Sequence, residues 1–287
     1  MSRSDGRSVQ EAVRPDELAI DCALVADILT GFVREEVHKV GFQRGVVGLS
    51  GGVDSALTLA IACQALGPEN LLPVIMPYRQ SSPSSERDAL LVAGQLGTEP
   101  LVVDISAQVD AYFERFPDAD RGRRGNKMAR ERMSILYDLS FARAGLVIGT
   151  SNKTELLLGY STIHGDMAYA LNPLGDLYKT QVFALARHLG LPEVVLTKAP
   201  SADLWEGQSD EEELGFRYAE VDRLLFHLVD RRRTRAELEA LGFSEALVEA
   251  VERRVRDSQY KRRPPLIAKL SNRTIDRDFR YPRDWGR

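Results

Sequence analysis

Short, continuous apolar runs along the chain alternate with longer stretches whose apolar residues recur at helical spacing. The runs predict four strands, at 45–49, 71–76, 101–105 and 146–149. The stretches between and after them predict helices, at about 55–66, 84–96, 107–116 and 128–143. Strands and helices that alternate in this way form a parallel sheet with helices on both faces. The pattern therefore predicts an α/β fold with a doubly wound parallel sheet.

The two ends of the chain carry different patterns. Residues 1–15 are polar and charged and predict a flexible lead-in, after which Asp16 is expected to cap an amphipathic helix that ends at Gly41. The last third has helical periodicity without strands, at about 178–189, 210–228, 234–241 and 244–260. We interpret it as a helical C-terminal extension. Because no repeat or linker divides the chain, the simplest organisation is one domain over residues 16–287.

The charge balance weighs against a general nucleic-acid binder. The chain has 287 residues with 38 Lys and Arg against 42 Asp and Glu, a formal net charge of −4, whereas such binders are strongly basic. Cys22 and Cys63 lie in helical patterns without metal-type spacing, which predicts free thiols and a reducing compartment. The N-terminus has no apolar signal region, and no run approaches the length of a membrane span. We therefore expect a cytoplasmic protein without nucleic-acid or membrane partners.

The strongest chemical signal lies where the first predicted strand ends. Residues 45–55 read GVVGLSGGVDS: an apolar run, two adjacent glycines, an acid and a hydroxyl, before a helical pattern begins at Ala56. A glycine turn that leads into a helix can hold a phosphate, because free N–H groups and the helix dipole favour negative charge. Asp54 is placed to hold a metal ion over such phosphates. The alternative is an ordinary strand–turn–helix in which Asp54 or Ser50 caps the helix.

Later segments are ambiguous when each is considered alone. Residues 117–127 are basic and polar and predict a loop, and the cations that follow in GNKMARERM would then oppose the dipole of a starting helix. Such runs are usually solvated surface. Glu155 in GTSNKTE suits an ordinary first-turn acid, and a lone histidine such as His164 in HGD is more often structural than catalytic. Lys179 in LYKTQ is unfavourable for a helix start but suitable for binding a phosphate.

Taken in order, the segments SGGVDS, GNKMARERM, GTSNKTE, GD, LYKTQV and PSADL closely resemble NAD synthetases, from about residue 20 to residue 263. In that family, ATP adenylates the carboxylate of deamido-NAD, and ammonia then displaces AMP to give NAD. SGGVDS alone would also fit other ATP pyrophosphatases, including tRNA-thiolating enzymes, which would need a well-placed catalytic cysteine and a basic surface. A third hypothesis is a nucleotide-binding sensor without catalysis, against which the intact Asp54, Glu155 and Lys179 argue.

The resemblance implies a role for each matching residue. ATP would be contacted by the glycine loop and by later positions, namely Gly48, Leu49, Ser50, Gly51, Gly52, Val53, Asp54, Ser55, Thr150, Lys179 and Ser201. Deamido-NAD would be contacted by Asn126, Arg130, Asp166, Tyr260 and Lys261. Mg²⁺ would be bound by Asp54 and Glu155. Asp54, Lys179 and Asp166 would be the catalytic residues, with Asp166 as a base or an ammonium site.

One segment departs from the pattern of many ammonia-dependent members. Those have KYGDGG and a further Asp, whereas residues 163–170 read IHGDMAYA, which is more similar to glutamine-dependent members. The latter carry a glutaminase domain before the synthetase region, and only about 40 residues precede SGGVDS in this sequence. We therefore expect free ammonia, or a separate amidase partner, to supply nitrogen. The resemblance also implies a homodimer, to which the helix predicted between Asp16 and Val40 could contribute.

Overall fold

A four-stranded parallel sheet forms the centre of the fold. The computed structural model describes residues 17–201, 210–263 and 265–272. Within them the strands are β1 (Arg44–Gly48), β2 (Leu71–Ile75), β3 (Leu101–Val102) and β4 (Gly145–Ile148). Their order is β3–β2–β1–β4, and β1 pairs in parallel with β2 and with β4. The chain thus winds outward in both directions from β1, which confirms the predicted doubly wound sheet. In such folds, ligands bind beyond the carboxyl ends of the two neighbouring strands between which the winding direction changes, which are β1 and β4 in this protein.

Helices flank the sheet and form the C-terminal part. They are α1 (Cys22–Lys39), α2 (Val53–Leu66), α3 (Pro83–Gln95), α4 (Ser106–Phe113), α5 (Arg121–Arg143), α6 (Lys153–Leu158), α7 (Lys179–His188), α8 (Glu193–Thr197), α9 (Asp210–Leu214), α10 (Tyr218–Leu225), α11 (Arg235–Ala240) and α12 (Glu245–Asp257). A single π-helical turn, Phe226–Asp230, continues α10. No helix among the described residues combines the length and hydropathy needed to cross a membrane.

The buried apolar residues form clusters on both faces of the sheet and under the C-terminal helices. Successive side chains of a strand point to opposite faces. Val47 therefore packs with α1, α2 and α7, whereas Val46 packs with residues of α4 and α5. A separate cluster includes Leu158 of α6 and Leu224 of α10. This cluster attaches the C-terminal extension to the part of the sheet from which α6 and α7 begin.

The predicted start of the first helix is wrong. α1 begins at Cys22, and its cap is Asp21, whose carboxylate accepts the Leu24 amide at 3.1 Å. Leu18 precedes the helix and packs in the C-terminal cluster, so it does not belong to the apolar face of α1. Asp16 and the lead-in at 1–15 lie outside the described residues.

The predicted loop at 117–127 is also wrong in its second half, because α5 already begins at Arg121. Asp120 caps this helix by accepting the Arg123 amide at 2.7 Å. The Arg123 and Arg124 guanidinium groups lie over phenylalanine rings at 4.4 and 4.6 Å, which supports a helical turn of basic residues. The cations of GNKMARERM therefore lie beyond the first turn, where the helix dipole no longer penalises them.

Candidate active site

The carboxyl end of β1 leads into a tight glycine turn. Gly51 has a φ of 79°, and a Cβ at this position would overlap the Ser85 carbonyl oxygen in α3, so the turn requires glycine. The Ser50 amide donates to the Ser55 hydroxyl at 3.1 Å, and that hydroxyl donates to the Gly52 carbonyl at 3.1 Å. Gly52 is the N-cap of α2, and no side chain within the described residues caps this end. The suggestion that Asp54 or Ser50 caps the helix is therefore wrong, and the first amides of α2 can meet an anion.

Lys179 joins two carboxylates that are distant in sequence. Its Nζ lies 2.5 Å from Asp54 Oδ2 and 3.2 Å from Glu155 Oε1. These residues occupy the first turns of α7, α2 and α6, which all begin at the same edge of the sheet. The Lys179 side chain is only 3% exposed, whereas those of Asp54 and Glu155 are each 17% exposed. The carboxylates are thus the part of the cluster that a ligand can reach.

In this cluster, two carboxyl groups share one ammonium. Burial alone would lower the pKa of Lys179, but the charges of Asp54 and Glu155 outweigh it and raise that pKa, so the ammonium is retained. Burial raises the pKa of Glu155 to about 8; the Lys179 charge opposes this rise, and the nearby Asp54 charge adds to it. A bound cation would favour the ionised carboxylates. The cluster is therefore a place where a positively charged ligand gains binding energy.

Asn152 connects the glycine turn to α6, a role that the sequence did not reveal. Its Nδ2 donates to Asp54 Oδ1 at 2.8 Å, and its Oδ1 accepts the Glu155 amide at 3.0 Å. Glu155 Oε2 accepts the Asn152 amide at 3.3 Å, which completes a reciprocal capping box. Glu155 is therefore both a first-turn acid of the ordinary kind and a partner of Lys179. The spacing Asn-x-x-Glu could have identified the cap, but not the contact with Asp54.

A third carboxylate near the cluster, Asp210, was also not predicted as a site residue. Its oxygens lie 3.0 Å from the Tyr160 hydroxyl and 3.3 Å from the Tyr218 hydroxyl. The Tyr218 ring centre in turn lies 5.3 Å from Lys179 Nζ. The Asp210 amide donates to the Pro200 carbonyl at 3.0 Å. This bond brings Pro200 beside Asp210 and the cluster. The only signal in the sequence for this role of Asp210 was an acid at a helix start.

Three of the residues expected to contact deamido-NAD lie around one loop. From α5, Asn126 Oδ1 accepts the Thr162 hydroxyl at 2.8 Å, and Arg130 Nε donates to the Ile163 carbonyl at 3.1 Å. Asp166 Oδ1 accepts the Thr162 amide at 2.6 Å. The Asp166 carbonyl accepts the Ser151 hydroxyl at 3.4 Å, directly beside the start of α6. The loop thus adjoins the Lys179 cluster.

The two C-terminal residues predicted to bind deamido-NAD are positioned differently. Lys261 Nζ donates to the Gly159 and Ser161 carbonyls, both at 2.8 Å, and so connects the end of α12 to the same loop. Tyr260 is 63% exposed and leaves its ring available to a ligand. A contact of either residue with deamido-NAD stays a prediction.

The remaining predicted ATP positions differ in how much of each residue a nucleotide could reach. Leu49 and Val53 are buried in the apolar core, so only their backbone atoms can contact a nucleotide. Gly48 ends β1, and Thr150 follows β4 at the same edge. Ser201 is described, whereas the last three residues of PSADL, 202–204, lie outside the described residues. These ATP contacts also stay predictions.

A family model described as NAD synthase matches residues 25–265. The chain belongs to the NAD synthase family. The NH(3)-dependent NAD(+) synthetase of Trichlorobacter lovleyi is 58% identical over 270 residues, which cover 94% of this chain and 99% of that protein. This relationship extends over the glycine turn, the Lys179 cluster and most of the C-terminal helices.

Solved structures agree with this family assignment. An NH3-dependent NAD synthetase from Campylobacter jejuni, in complex with the nitrate ion, has a TM-score of 0.75 and 34% identity, over 87% of this chain and all of that one (100%). An NMN synthetase from Francisella tularensis has a TM-score of 0.78 and 30% identity, over 88% of this chain and 100% of that one. These two neighbours are named for different products, NAD and NMN, which bears on the choice of substrates to test.

Proposed function

We propose that this protein catalyses the ATP-dependent amidation of deamido-NAD to NAD with ammonia, through an adenylated carboxylate, and releases AMP and pyrophosphate. The observation that carries the proposal is the convergence of Asp54, Glu155 and Lys179 beside the glycine turn, in a chain 58% identical to an ammonia-dependent relative. Amidation requires activation because a free carboxylate has only oxide as leaving group. Adenylation replaces oxide with AMP.

The cluster suits the first half-reaction. The carboxylate of deamido-NAD attacks the α-phosphorus of ATP, and negative charge accumulates on the departing pyrophosphate. The first amides of α2 and the Lys179 ammonium would stabilise that charge, since preorganised donors and cations act strongly in a water-poor site. No protein nucleophile is required, which agrees with Cys22 and Cys63 being free thiols in the helices α1 and α2.

Mg²⁺ fits the donor set of this site. Mg²⁺ typically binds through one or two carboxylates and substrate phosphates and retains several waters. Asp54 and Glu155 supply two carboxylates, and the described residues contain no convergent set of three or more metal-ligating side chains. When bound, Mg²⁺ would neutralise phosphate charge and orient the α-phosphate. Lys179 would then be free to move its ammonium from the carboxylates to the phosphates.

The proposal is tested by product formation from purified protein. We expect NAD, AMP and pyrophosphate in equal amounts only when ATP, Mg²⁺, deamido-NAD and ammonium are all present. Replacing ammonium with glutamine should abolish the reaction, and replacing deamido-NAD with nicotinate mononucleotide should reduce kcat/KM strongly. Absence of NAD from the complete mixture would refute the proposal, while preference for the mononucleotide would reassign the substrate.

Asp166 is proposed to accept a proton from ammonium in the second half-reaction. Loss of hydration beside the 162–166 loop raises the pKa of Asp166 to about 6, opposed by the Thr162 amide and the Lys261 charge. Because the residue keeps exposed surface, we expect a midpoint between its ordinary pKa and about 6. The ionised base is lost as pH falls through that midpoint, so kcat should decrease about tenfold per pH unit below it.

Asp166→Asn separates this chemical role from a structural one. Asparagine can still accept the Thr162 amide, so we expect normal folding but a kcat about 100-fold lower, without the acidic limb of the pH profile. An elevated carboxyl pKa stabilises the fold at low pH, and this contribution is lost as pH rises through the midpoint. The variant should therefore be at least as stable as the wild type at pH 8. A wild-type kcat and pH profile would exclude Asp166 as the base.

The remaining assignments concern partners and location. We propose a homodimer in the cytoplasm, supplied by free ammonium or by a separate amidase, without nucleic-acid or membrane partners and with residues 16–287 as one domain. Leu24, Ile28 and Phe32 leave an apolar stripe of α1 exposed at 56%, 57% and 38%, which would suit a subunit contact. Sedimentation velocity would distinguish the dimer from the monomer. Family membership disfavours the tRNA-modifying and sensor hypotheses.

A further inference from the structure

We propose that Asp222, acting through Thr154, is a positioning residue that fixes the start of α7 and thereby directs Lys179 into the active site. The inference rests on the proposed role of Lys179 at the ATP phosphates. Asp222 lies on α10, in the C-terminal extension, and was not identified by the sequence motifs. It is completely buried, at 0% exposure.

The network joins three helices by short hydrogen bonds. Thr154 Oγ1 donates to Asp222 Oδ1 at 2.6 Å and accepts the Lys179 amide at 3.0 Å. Asp222 Oδ2 accepts the Thr180 amide at 2.8 Å. The first two amides of α7 are therefore bound by side chains from α6 and α10. Because the threonine hydroxyl donates one bond while accepting another, it orients both partners at once.

The network also supplies charge where the helix requires it. Lys179 is the first residue of α7, and a cation at a helix N-terminus is disfavoured by the helix dipole. The Asp222 carboxylate accepts the Thr180 amide at that terminus, so its negative charge interacts favourably with the helix dipole. Burial raises the pKa of Asp222, whereas the hydrogen bonds from Thr154 and Thr180 and the Lys179 charge oppose this rise. A buried carboxylate is costly unless its oxygens are hydrogen-bonded. Each Asp222 oxygen has a hydrogen-bond partner, which lowers the cost of burying its negative charge. That charge offsets the unfavourable interaction between the Lys179 ammonium and the dipole of α7.

Positioning of the backbone should matter for the reaction because Lys179 has little freedom. Its ammonium lies between Asp54 and Glu155, and its side chain is 3% exposed. Thr154 precedes Glu155 directly on α6, so one hydroxyl fixes the backbone beside both members of the cluster. A displacement of about 1 Å in a reacting group can reduce a rate about 100-fold. Loss of the network should therefore reduce kcat much more than it changes the KM for deamido-NAD.

The test compares Thr154→Val with Thr154→Ser in the full chain. Valine has the shape of threonine but removes both hydrogen bonds, and we expect kcat to fall about 30- to 100-fold, with a KM for deamido-NAD within about threefold of wild type. Serine retains the hydroxyl and should restore kcat to within about threefold. Thr98→Val is the matched control: its buried hydroxyl donates to the Ala93 carbonyl at 3.2 Å and takes no part in the Thr154–Asp222 network, so the substitution should leave kcat unchanged.

Asp222→Asn provides a second variant if Thr154→Val folds poorly. The asparagine oxygen can keep the Thr180 amide, and its nitrogen can donate to the Thr154 oxygen, so the contacts that hold the fold are retained. The variant loses the negative charge and the acceptor for the Thr154 hydroxyl proton. We expect kcat about tenfold lower and faster hydrogen exchange at the Lys179 amide. Wild-type kcat in a folded Thr154→Val or Asp222→Asn variant would overturn the proposal.

A readout independent of NAD formation separates this inference from the proposed function. If the wild type makes no NAD, the proposed function fails, and ATP affinity measured by calorimetry becomes the criterion. A loss of ATP affinity in Thr154→Val but not in Thr154→Ser or Thr98→Val would still support positioning of Lys179. Equal ATP affinity and equal exchange at the Lys179 amide in all variants would overturn it.

Discussion

Asp54→Asn is expected to reduce kcat for NAD formation about 1,000-fold. The substitution keeps the side-chain shape but removes the charge that pairs with Lys179 Nζ at 2.5 Å and that would bind Mg²⁺. Removal of one preorganised electrostatic group in an active site costs a factor of about 100 to 1,000. Because Asp54→Asn also removes a proposed Mg²⁺ ligand, we expect a decrease at the upper end of this range. The measurement is steady-state kcat at saturating ATP, deamido-NAD, Mg²⁺ and ammonium, together with exchange of pyrophosphate into ATP.

Loss of activity must be distinguished from loss of folding. In Asp54→Asn, Lys179 keeps Glu155 as a partner at 3.2 Å. The free energy of unfolding should therefore fall by only about 1 to 3 kcal/mol, as for one imperfectly satisfied buried polar group. Glu249→Gln is the matched control, because this carboxylate pairs with Arg253 on the surface of α12 and is 56% exposed. It should retain full activity, and a near-wild-type kcat in Asp54→Asn would remove Asp54 from the catalytic site.

Gly51→Ala is expected to reduce kcat/KM for ATP about 1,000-fold. The added Cβ would overlap the Ser85 carbonyl, and alanine would also have to adopt a φ of 79°. The left-handed conformation alone costs about 1 to 2 kcal/mol, and relief of the overlap requires the turn or the start of α3 to move. Either movement displaces the first amides of α2. ATP titrations with kinetic and calorimetric readouts would measure the effect.

Gly94→Ala is the matched control for the glycine turn. Gly94 lies inside α3, and a Cβ there meets no atom within 4 Å. Alanine is favoured over glycine in a helix by about 1 kcal/mol. Gly94→Ala should therefore raise stability slightly and leave ATP kinetics unchanged. Comparable ATP affinity in the Gly51 and Gly94 variants would show that the turn does not hold the nucleotide.

The strand–helix alternation was sufficient to predict the central part of the fold. Each of the four apolar runs contains a strand, because parallel strands covered on both faces need apolar residues on each face. The run predicted at 101–105 is the least accurate, since β3 covers only Leu101–Val102 and both residues are exposed at this end of the sheet. Helix starts were harder to predict. Asp21, rather than Asp16, caps α1, and α5 begins within a basic segment because aromatic rings support Arg123 and Arg124. Such tertiary contacts override the local preferences that a sequence pattern reports.

The sequence by itself determined the glycine turn, the parallel sheet and the residue types of an acyl-adenylating site. Local spacing encodes these features, since a turn, a strand or a helix start depends on neighbouring residues. Only the tertiary structure decided which side chains meet. Lys179 reaches Asp54 across 125 positions, and Asp222 reaches Thr154 across 68. Helices α2, α6 and α7 begin at one edge of a sheet ordered β3–β2–β1–β4, and α10 packs against α7. Contacts of this kind follow from the three-dimensional path of the chain, which no local pattern contains.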